Sequence, residues 1–311
     1  MKKYGPKNQL CNRVEPQKMD LSNNKNNVSC WNICDIKLFG RDRSQVLKVL
    51  EQNLALGTKK YWIATVNPEF VMTAQKDNEF KKILSKTSLN VVDGIGLIWA
   101  RELAIQSVSS SAYQIIRSLK KLLSGFMIGV KVLKGEYKDQ IASGADLMVD
   151  LVKLAAKDNK KVFFLGGWGD RAEKTAKFFE TKNLDCRSSI VDRRNKLKID
   201  WCSGEPDVTN EEVIKKINSF KPDILFVAYG MKKQEFWINE NLNKLNVGLV
   251  MGVGRSFDYY SGELKRAPQW VQKMGMEWLY SLIKEPKRFR RQLVLPRFIQ
   301  KVISGEFLVF N

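Results

Sequence analysis

The sequence predicts an α/β fold: a Rossmann-like, mostly parallel sheet with helices on both faces, extended by a basic helical C-terminal appendage. Two observations carry this. Continuous apolar runs such as YWIATVN (61–67), KVFFLGG (161–167), PDILFVAYG (222–230) and VGLVMGVG (247–254) alternate with amphipathic stretches of helical period. Strands that are apolar throughout are what a parallel sheet covered on both faces requires. Several runs also end in glycine or an acid where a helical pattern opens, and open parallel sheets bind ligands at that end of their strands.

Taken in order, residues 1–30 are polar and aperiodic and read as a disordered or loosely attached leader, with order beginning near Trp31. The core spans 31–262. The strand at 61–67 is followed by a helix from Pro68 to about Thr87, then NVVDGIG (90–96) and a helical LIWARELA. After an interruption the alternation resumes: helix GADLMVDLVKLAAKDN, strand KVFFLGG, helix RAEKTAKFFE, strand CRSSIVD (186–192), helix NEEVIKKINSF, strand PDILFVAYG, helix KQEFWINENLNKL, strand VGLVMGVG. The interruption, about 105–139, is a basic, apolar, helix-like insertion. Residues 263–311 form the appendage, read as two helices broken near Pro286 and Pro296.

Lys and Arg outnumber Asp and Glu by 53 to 33, a formal charge of +20. That excess predicts an anionic partner: nucleic acid, an acidic lipid surface or a phosphorylated substrate. The first is disfavoured, because the charge clusters with apolar residues and no RNP, KH or zinc-finger pattern occurs. No apolar run is long enough to span a bilayer and no secretory segment opens the chain, so the expected location is cytoplasmic. Five cysteines form no CxxC pair and read as reduced thiols. The chain contains no histidine. That excludes Ser-His-Asp and Cys-His catalysis and His-ligated metal sites, leaving a carboxylate, Lys, Tyr or Cys as general base. Asp-x-Asp spacing is also absent, so no metal and no cofactor are expected.

Three strand ends carry polar groups suited to one ligand: Thr65 and Asn67, Asp93, and Gln234 with Glu235. Gly94 and Gly96 would let backbone approach that ligand at a helix N-terminus. Asp93 reads either as a base facing substrate or as a helix N-cap, and Gln234-Glu235 either as site or as cap. FLGGWGD (164–170) lacks both GxGxxG and the Walker lysine, and reads more readily as a tight turn than as a phosphate loop. In the appendage, Arg288, Arg290 and Arg291 stand among Trp270, Trp278, Tyr280, Phe289 and Phe298, a mixture suited to phosphates at a membrane surface or to a solvated basic helix packed on the core.

The ordered set TVNPEF, VVDGIG, GADLM, VFFLGG, PDILFVAYG, KKQE, GVGRSFD, SGELKRAPQW, GMEWLY and EPKRFRR, running from about Trp31 to Arg291, resembles the WecG/TagA/CpsF glycosyltransferase family. The resemblance implies a bacterial, membrane-associated, inverting enzyme. Such an enzyme moves N-acetylmannosamine or a related sugar from a UDP-sugar to undecaprenyl-diphosphate-linked GlcNAc, in assembly of teichoic acid linkage units, enterobacterial common antigen or capsule. It implies Asp93 as general base, Thr65 and Asn67 in the substrate pocket, Gln234 as the glutamine of G-x-P-x-Q-E, and Arg288 and Arg291 on the diphosphate. Gly94, Glu235 and Arg266 complete the expected substrate-binding set. The partners implied are the UDP-sugar, the lipid-linked acceptor and an anionic membrane surface on its inner face, with homo-oligomerisation left open. The sequence departs from the family pattern at Asp139-Gln140 in place of Glu-Arg, Ser281 in place of arginine, Lys232 in place of proline and Arg255 in place of glycine. Those departures motivate the rival reading, a non-catalytic membrane-surface scaffold or sugar-nucleotide-binding protein.

Overall fold

The computed structural model describes residues 30–40, 42–57, 60–107, 114–137, 140–181, 197–204, 210–286, 289–307 and 309–310. The leader up to residue 29, the expected strand at 186–192, Asp139 and Arg288 lie outside these residues.

The first described element is a hairpin. Strands β1 (Cys30–Ile33) and β2 (Ile36–Phe39) pair antiparallel through a turn in which Cys34 and Asp35 both take positive φ, 52° and 64°. Two-residue hairpin loops need that backbone to match the strand twist, and usually recruit Asn-Gly for it. Helix α1 (Arg43–Leu56) follows, capped by the Asp42 carboxylate on the Gln45 amide and closed by Gly57 in the left-handed region. Strand β3 (Tyr61–Val66) leads into α2 (Pro68–Ala74) and α3 (Asn78–Ser85). The single helix expected here is two, because the Asp77 side chain accepts from the Phe80 amide at 3.0 Å and starts a new helix. Next come β4 (Leu89–Val92), α4 (Ile95–Ser107), α5 (Gln114–Leu133) within the insertion, and α6 (Gly144–Lys157).

The second half continues with β5 (Lys161–Gly166), α7 (Arg171–Thr181), β6 (Lys198–Cys202), α8 (Asn210–Phe220), β7 (Ile224–Ala228), α9 (Lys233–Asn241), β8 (Leu249–Gly252) and α10 (Ser256–Tyr260). The C-terminal segment departs from the two-helix expectation. It forms α11 (Gln269–Lys273), α12 (Glu277–Lys284), α13 (Phe289–Gln292), α14 (Val294–Ser304) and a last strand, β9 (Val309–Phe310). Pro296 does not break α14: it sits in the first turn, where a missing N–H costs nothing.

Among the described residues the sheet runs β6-β5-β7-β8-β3-β4-β2-β1-β9, parallel from β6 to β2, with β1 antiparallel to both its neighbours. Alternate residues of each central strand enter opposite cores. Ile63, Phe164, Phe226 and Met251 pack under α1, α6 and α7, whereas Trp62, Phe163, Leu225 and Val250 pack under α8 and α9. A third apolar cluster joins α2, α3, α4 and α14, with Phe298 of α14 fully buried in it. The C-terminal segment is thus anchored in the core through α14. Among the described residues no helix is long and apolar enough to cross a membrane.

Candidate active site

A cleft of about 1100 Å³ opens over the carboxyl ends of β3, β4, β7 and β8 and is roofed by α12 to α14. Thr65, Asn67, Asp93, Gly94, Gln234, Arg266 and Arg291 all line it, so the topology gathers most of the expected set in one place.

Thr65, buried at the end of β3, donates from Oγ1 to the Gly252 carbonyl at 3.4 Å. Asn67 caps α2, its Oδ1 accepting from the Glu69 and Phe70 amides at 2.9 and 3.2 Å, which leaves its NH₂ as the donor for a ligand. Asp93 follows β4, and its amide extends the β3–β4 ladder by donating to Val66 O at 2.7 Å. Gly94, at φ 120°, makes the turn into α4. Gly96 has a packing reason: a Cβ there would come within 2.8 Å of Pro68 Cγ, so the glycine lets α4 lie against α2.

The half-buried Asp93 carboxylate faces the Gly144 amide at the start of α6. Burial, aided by the negative charges of Glu277 and Asp146, pushes it up to about 7, against the opposing pull of Arg266 and that amide. Asp146 is held below the ordinary carboxylate range: burial works the other way, but the Arg266 guanidinium outweighs it. The cleft therefore carries two carboxylates of different character, Asp93 titrating near neutrality and Asp146 kept ionised.

Arg266 ties this polar end together. Its Nη1 and Nη2 donate to Asp146 Oδ1 and Oδ2 at 2.6 and 3.0 Å, its Nη2 to Ser143 Oγ at 3.3 Å, and its Nε to Glu277 Oε1 at 2.8 Å. Arg43 extends the network, donating from Nε to Asp150 Oδ2 at 2.5 Å and from Nη2 to the Asp146 carbonyl at 3.3 Å. Asp146, Ser143, Arg43 and Glu277 all line the cleft, and sequence reasoning missed them. The signal available was Ser143 three residues before Asp146, a helix-start pattern inside the GADLM motif.

Of the Gln234-Glu235 pair, Glu235 makes the cap contact, while Gln234 lines the cleft. Gln234 Oε1 accepts from the Gly254 amide at 3.0 Å and its Nε2 donates to Glu235 Oε1 at 2.7 Å. Glu235 Oε2 accepts from the Lys232 amide at 2.7 Å. Glu235 is fully buried and is not among the residues that line the cleft. Burial raises it to about 7 against those hydrogen bonds. Its work is to fix the 230–235 loop and, through Gln234, the Gly254 corner of the cleft.

On the roof, Arg291 donates from Nε to Glu69 Oε1 and Oε2 at 2.6 and 2.8 Å, linking α13 to the first turn of α2 across the cleft mouth. Arg255, where the family pattern has glycine, lines the cleft and pairs with Asp258 at 3.0 Å and Glu285 at 2.6 Å. Ser281 lines the cleft, whereas Gln140 lies outside it and accepts from Arg101 Nη2 at 2.6 Å. Lys232 takes φ 72°, ψ −56° and its Nζ reaches Asp77 Oδ2 at 2.7 Å. FLGGWGD folds as a tight turn, with Gly166 packed so closely on Tyr229 that a Cβ would meet the ring at 2.7 Å, and it does not line the cleft.

Comparison with known proteins adds two findings. The model of the glycosyl transferase WecG/TagA/CpsF family matches residues 31–124 and 124–308. Relatives from Staphylococcus aureus strains MW2 and COL, each named N-acetylglucosaminyldiphosphoundecaprenol N-acetyl-beta-D-mannosaminyltransferase, are 28% identical over 249 residues, covering 80% of this chain and 82% of theirs.

Proposed function

Since this chain belongs to the WecG/TagA/CpsF glycosyl transferase family, we propose that it moves N-acetylmannosamine or a related sugar from a UDP-sugar to an undecaprenyl-diphosphate-linked GlcNAc, with inversion at the anomeric carbon. The observation that carries the reading is the position of Asp93, whose carboxylate stands at the floor of the cleft beside the start of α6.

In this reading Asp93 takes the proton of the acceptor hydroxyl. The hydroxyl oxygen forms its bond to the anomeric carbon from the face opposite the nucleotide, and the bond to the diphosphate oxygen breaks, its electron pair leaving with UDP. A base that titrates near 7 suits the task, since near neutral pH a substantial fraction is ionised and that fraction is basic enough to accept a proton. Asn67 offers its NH₂ to the sugar or nucleotide, next to the Gly254 corner that Gln234 holds. Arg291 and Arg288 offset the charge that develops on the diphosphate, and one such donor is typically worth about 2.7–4 kcal/mol of barrier. Arg266 acts by holding Asp146 and Glu277 in place beside Asp93 more than by gripping a phosphate, because four of its five N–H donors are engaged by carboxylates and Ser143. No step needs a metal, in keeping with a sequence that has neither histidine nor Asp-x-Asp. A lipid-linked acceptor supports the reading that the work is done at the inner face of an anionic membrane.

The test is UDP release from a panel of UDP-sugars with a GlcNAc-diphosphate-lipid acceptor, in EDTA, for the natural protein and Asp93→Asn. Acceptor-dependent release from one donor, lost in the variant, supports the reading. Binding of a UDP-sugar without turnover on any acceptor would favour the scaffold reading.

A further inference from the structure

Helix α5 is apolar on two faces. Its inner face is seated on the core: the Trp99 indole donates to Gly125 O at 2.9 Å, a Cβ at Gly125 would meet that ring at 3.0 Å, and Ile128 is fully buried. Its outer face presents Leu123, Phe126 and Met127, which are 62%, 69% and 59% exposed, followed by Leu133 one and a half turns further on. A water-soluble surface helix has a polar outer face, and one whose outer face is apolar as well as its inner face calls for a second apolar surrounding. The same helix holds four basic residues, Arg117, Lys120, Lys121 and Lys131, and no acidic one.

These features select one occupant. A protein partner would be met by mixed charge, whereas uniform positive charge combined with large exposed side chains matches an anionic bilayer surface, into which such a helix sinks while lying flat. The position agrees. Gly129 and Val132 of α5 line the cleft, and exposed Phe289 and Ile299 stand on the roof elements of the same cleft. We propose that α5 is a membrane-interface helix that buries Leu123, Phe126 and Met127 among anionic lipids and so seats the cleft mouth on the bilayer. The usefulness of that placement rests on the lipid-linked acceptor proposed above, but the binding itself does not.

The test is flotation of the full chain with vesicles of phosphatidylcholine alone or mixed with phosphatidylglycerol, comparing the natural protein with the triple variant Leu123→Glu, Phe126→Glu, Met127→Glu. The expected result is capture by the anionic vesicles that weakens with salt, falls about tenfold or more in the variant, and is poor on phosphatidylcholine. The three side chains are exposed, so the variant's thermal midpoint should be unchanged; Phe126→Ser alone, with a smaller loss, covers the case in which three glutamates disturb folding. Undiminished capture of both variants overturns the proposal. So does a shift from dimer to monomer in sedimentation with vesicle binding intact, which would make the face a contact between two copies. UDP release from a short-chain, water-soluble acceptor is measured alongside: if no donor supports turnover while vesicle capture follows α5, the enzymatic reading fails and this one stands.

Discussion

Arg266 and Asp146 are joined by two parallel hydrogen bonds, 2.6 and 3.0 Å, across 120 residues of sequence, and this pair sets the charge around Asp93. Arg266 is the positive influence that restrains the Asp93 pKa from rising further, while Asp146 and Glu277 drive it upward. Arg266→Lys keeps the charge but loses the planar fork. We expect the pH midpoint of the rate to move upward and kcat/KM to fall, with a stability loss of about 1–3 kcal/mol from imperfectly paired carboxylates. A pH–rate profile beside a urea titration reads both. A variant whose rate falls with an unshifted midpoint would show that Arg266 does not act through Asp93.

Asp93→Asn is predicted to divide activity from stability. Loss of a general base should lower turnover by about 10²–10⁴-fold. The folded carboxylate titrates about 7 against a reference of 3.8, so the native state prefers the protonated form and ionising it costs stability. That cost is absent below the unfolded pKa, grows as pH rises between the two values and levels off above about 7. The neutral asparagine should therefore be more stable than the natural protein at pH 8 and about equal to it near pH 4, as thermal midpoints at the two pH values would show. Equal stability at both would mean the carboxylate is solvated in the folded protein.

Lys232 gives a prediction that runs against the family pattern. Its φ of 72° is closed to proline, whose ring fixes φ near −65°, and its amide donates to Glu235. Installing the family's residue, Lys232→Pro, should destabilise this chain by about 3 kcal/mol or more. Lys232→Gly should be tolerated, because glycine adopts positive φ without a Cβ clash. Urea midpoints for the pair decide it, and a well-folded proline variant would refute the loop geometry.

Arg291 donates to Glu69, so under the proposed function an incoming diphosphate would compete with that carboxylate. Glu69→Gln should free the guanidinium and tighten UDP binding a few-fold at low salt, the gain fading as salt is raised. Calorimetric titration of UDP at two salt concentrations measures this. Weaker binding in the variant would place Glu69, not Arg291, in contact with the ligand.

The central strands were legible in the sequence because burial on two faces leaves them apolar from end to end, as in ILFVA of β7. The hairpin β1–β2 was not: its strands have four residues each, and its turn uses Cys34 and Asp35 at positive φ without a glycine to announce it. Strand β6 lies at the sheet edge with partly exposed side chains, which dilutes the apolar signal. Asp93 was visible because an apolar strand gives way to Asp-Gly at a helix start. The Arg266–Asp146–Glu277 network was not, since only the folded topology brings a loop, α6 and α12 together. Glu235 was ambiguous for a simple reason: one carboxylate three residues into a helix serves a cap and a ligand with the same letters.

The pairing of β9 with β1 bears on how the protein reaches this state. Asn32 and Phe310 are partners in the sheet although roughly 280 residues separate them, and such distant contacts are the slow ones to form. The α14 side chains that roof the cleft precede β9 directly, so a nascent chain can assemble the parallel strands well before its cleft has a roof. A ribosome-bound fragment ending before residue 289 would lack α13 and α14, two of the three helices that roof the cleft, and would leave the side of the cleft that they cover open to solvent.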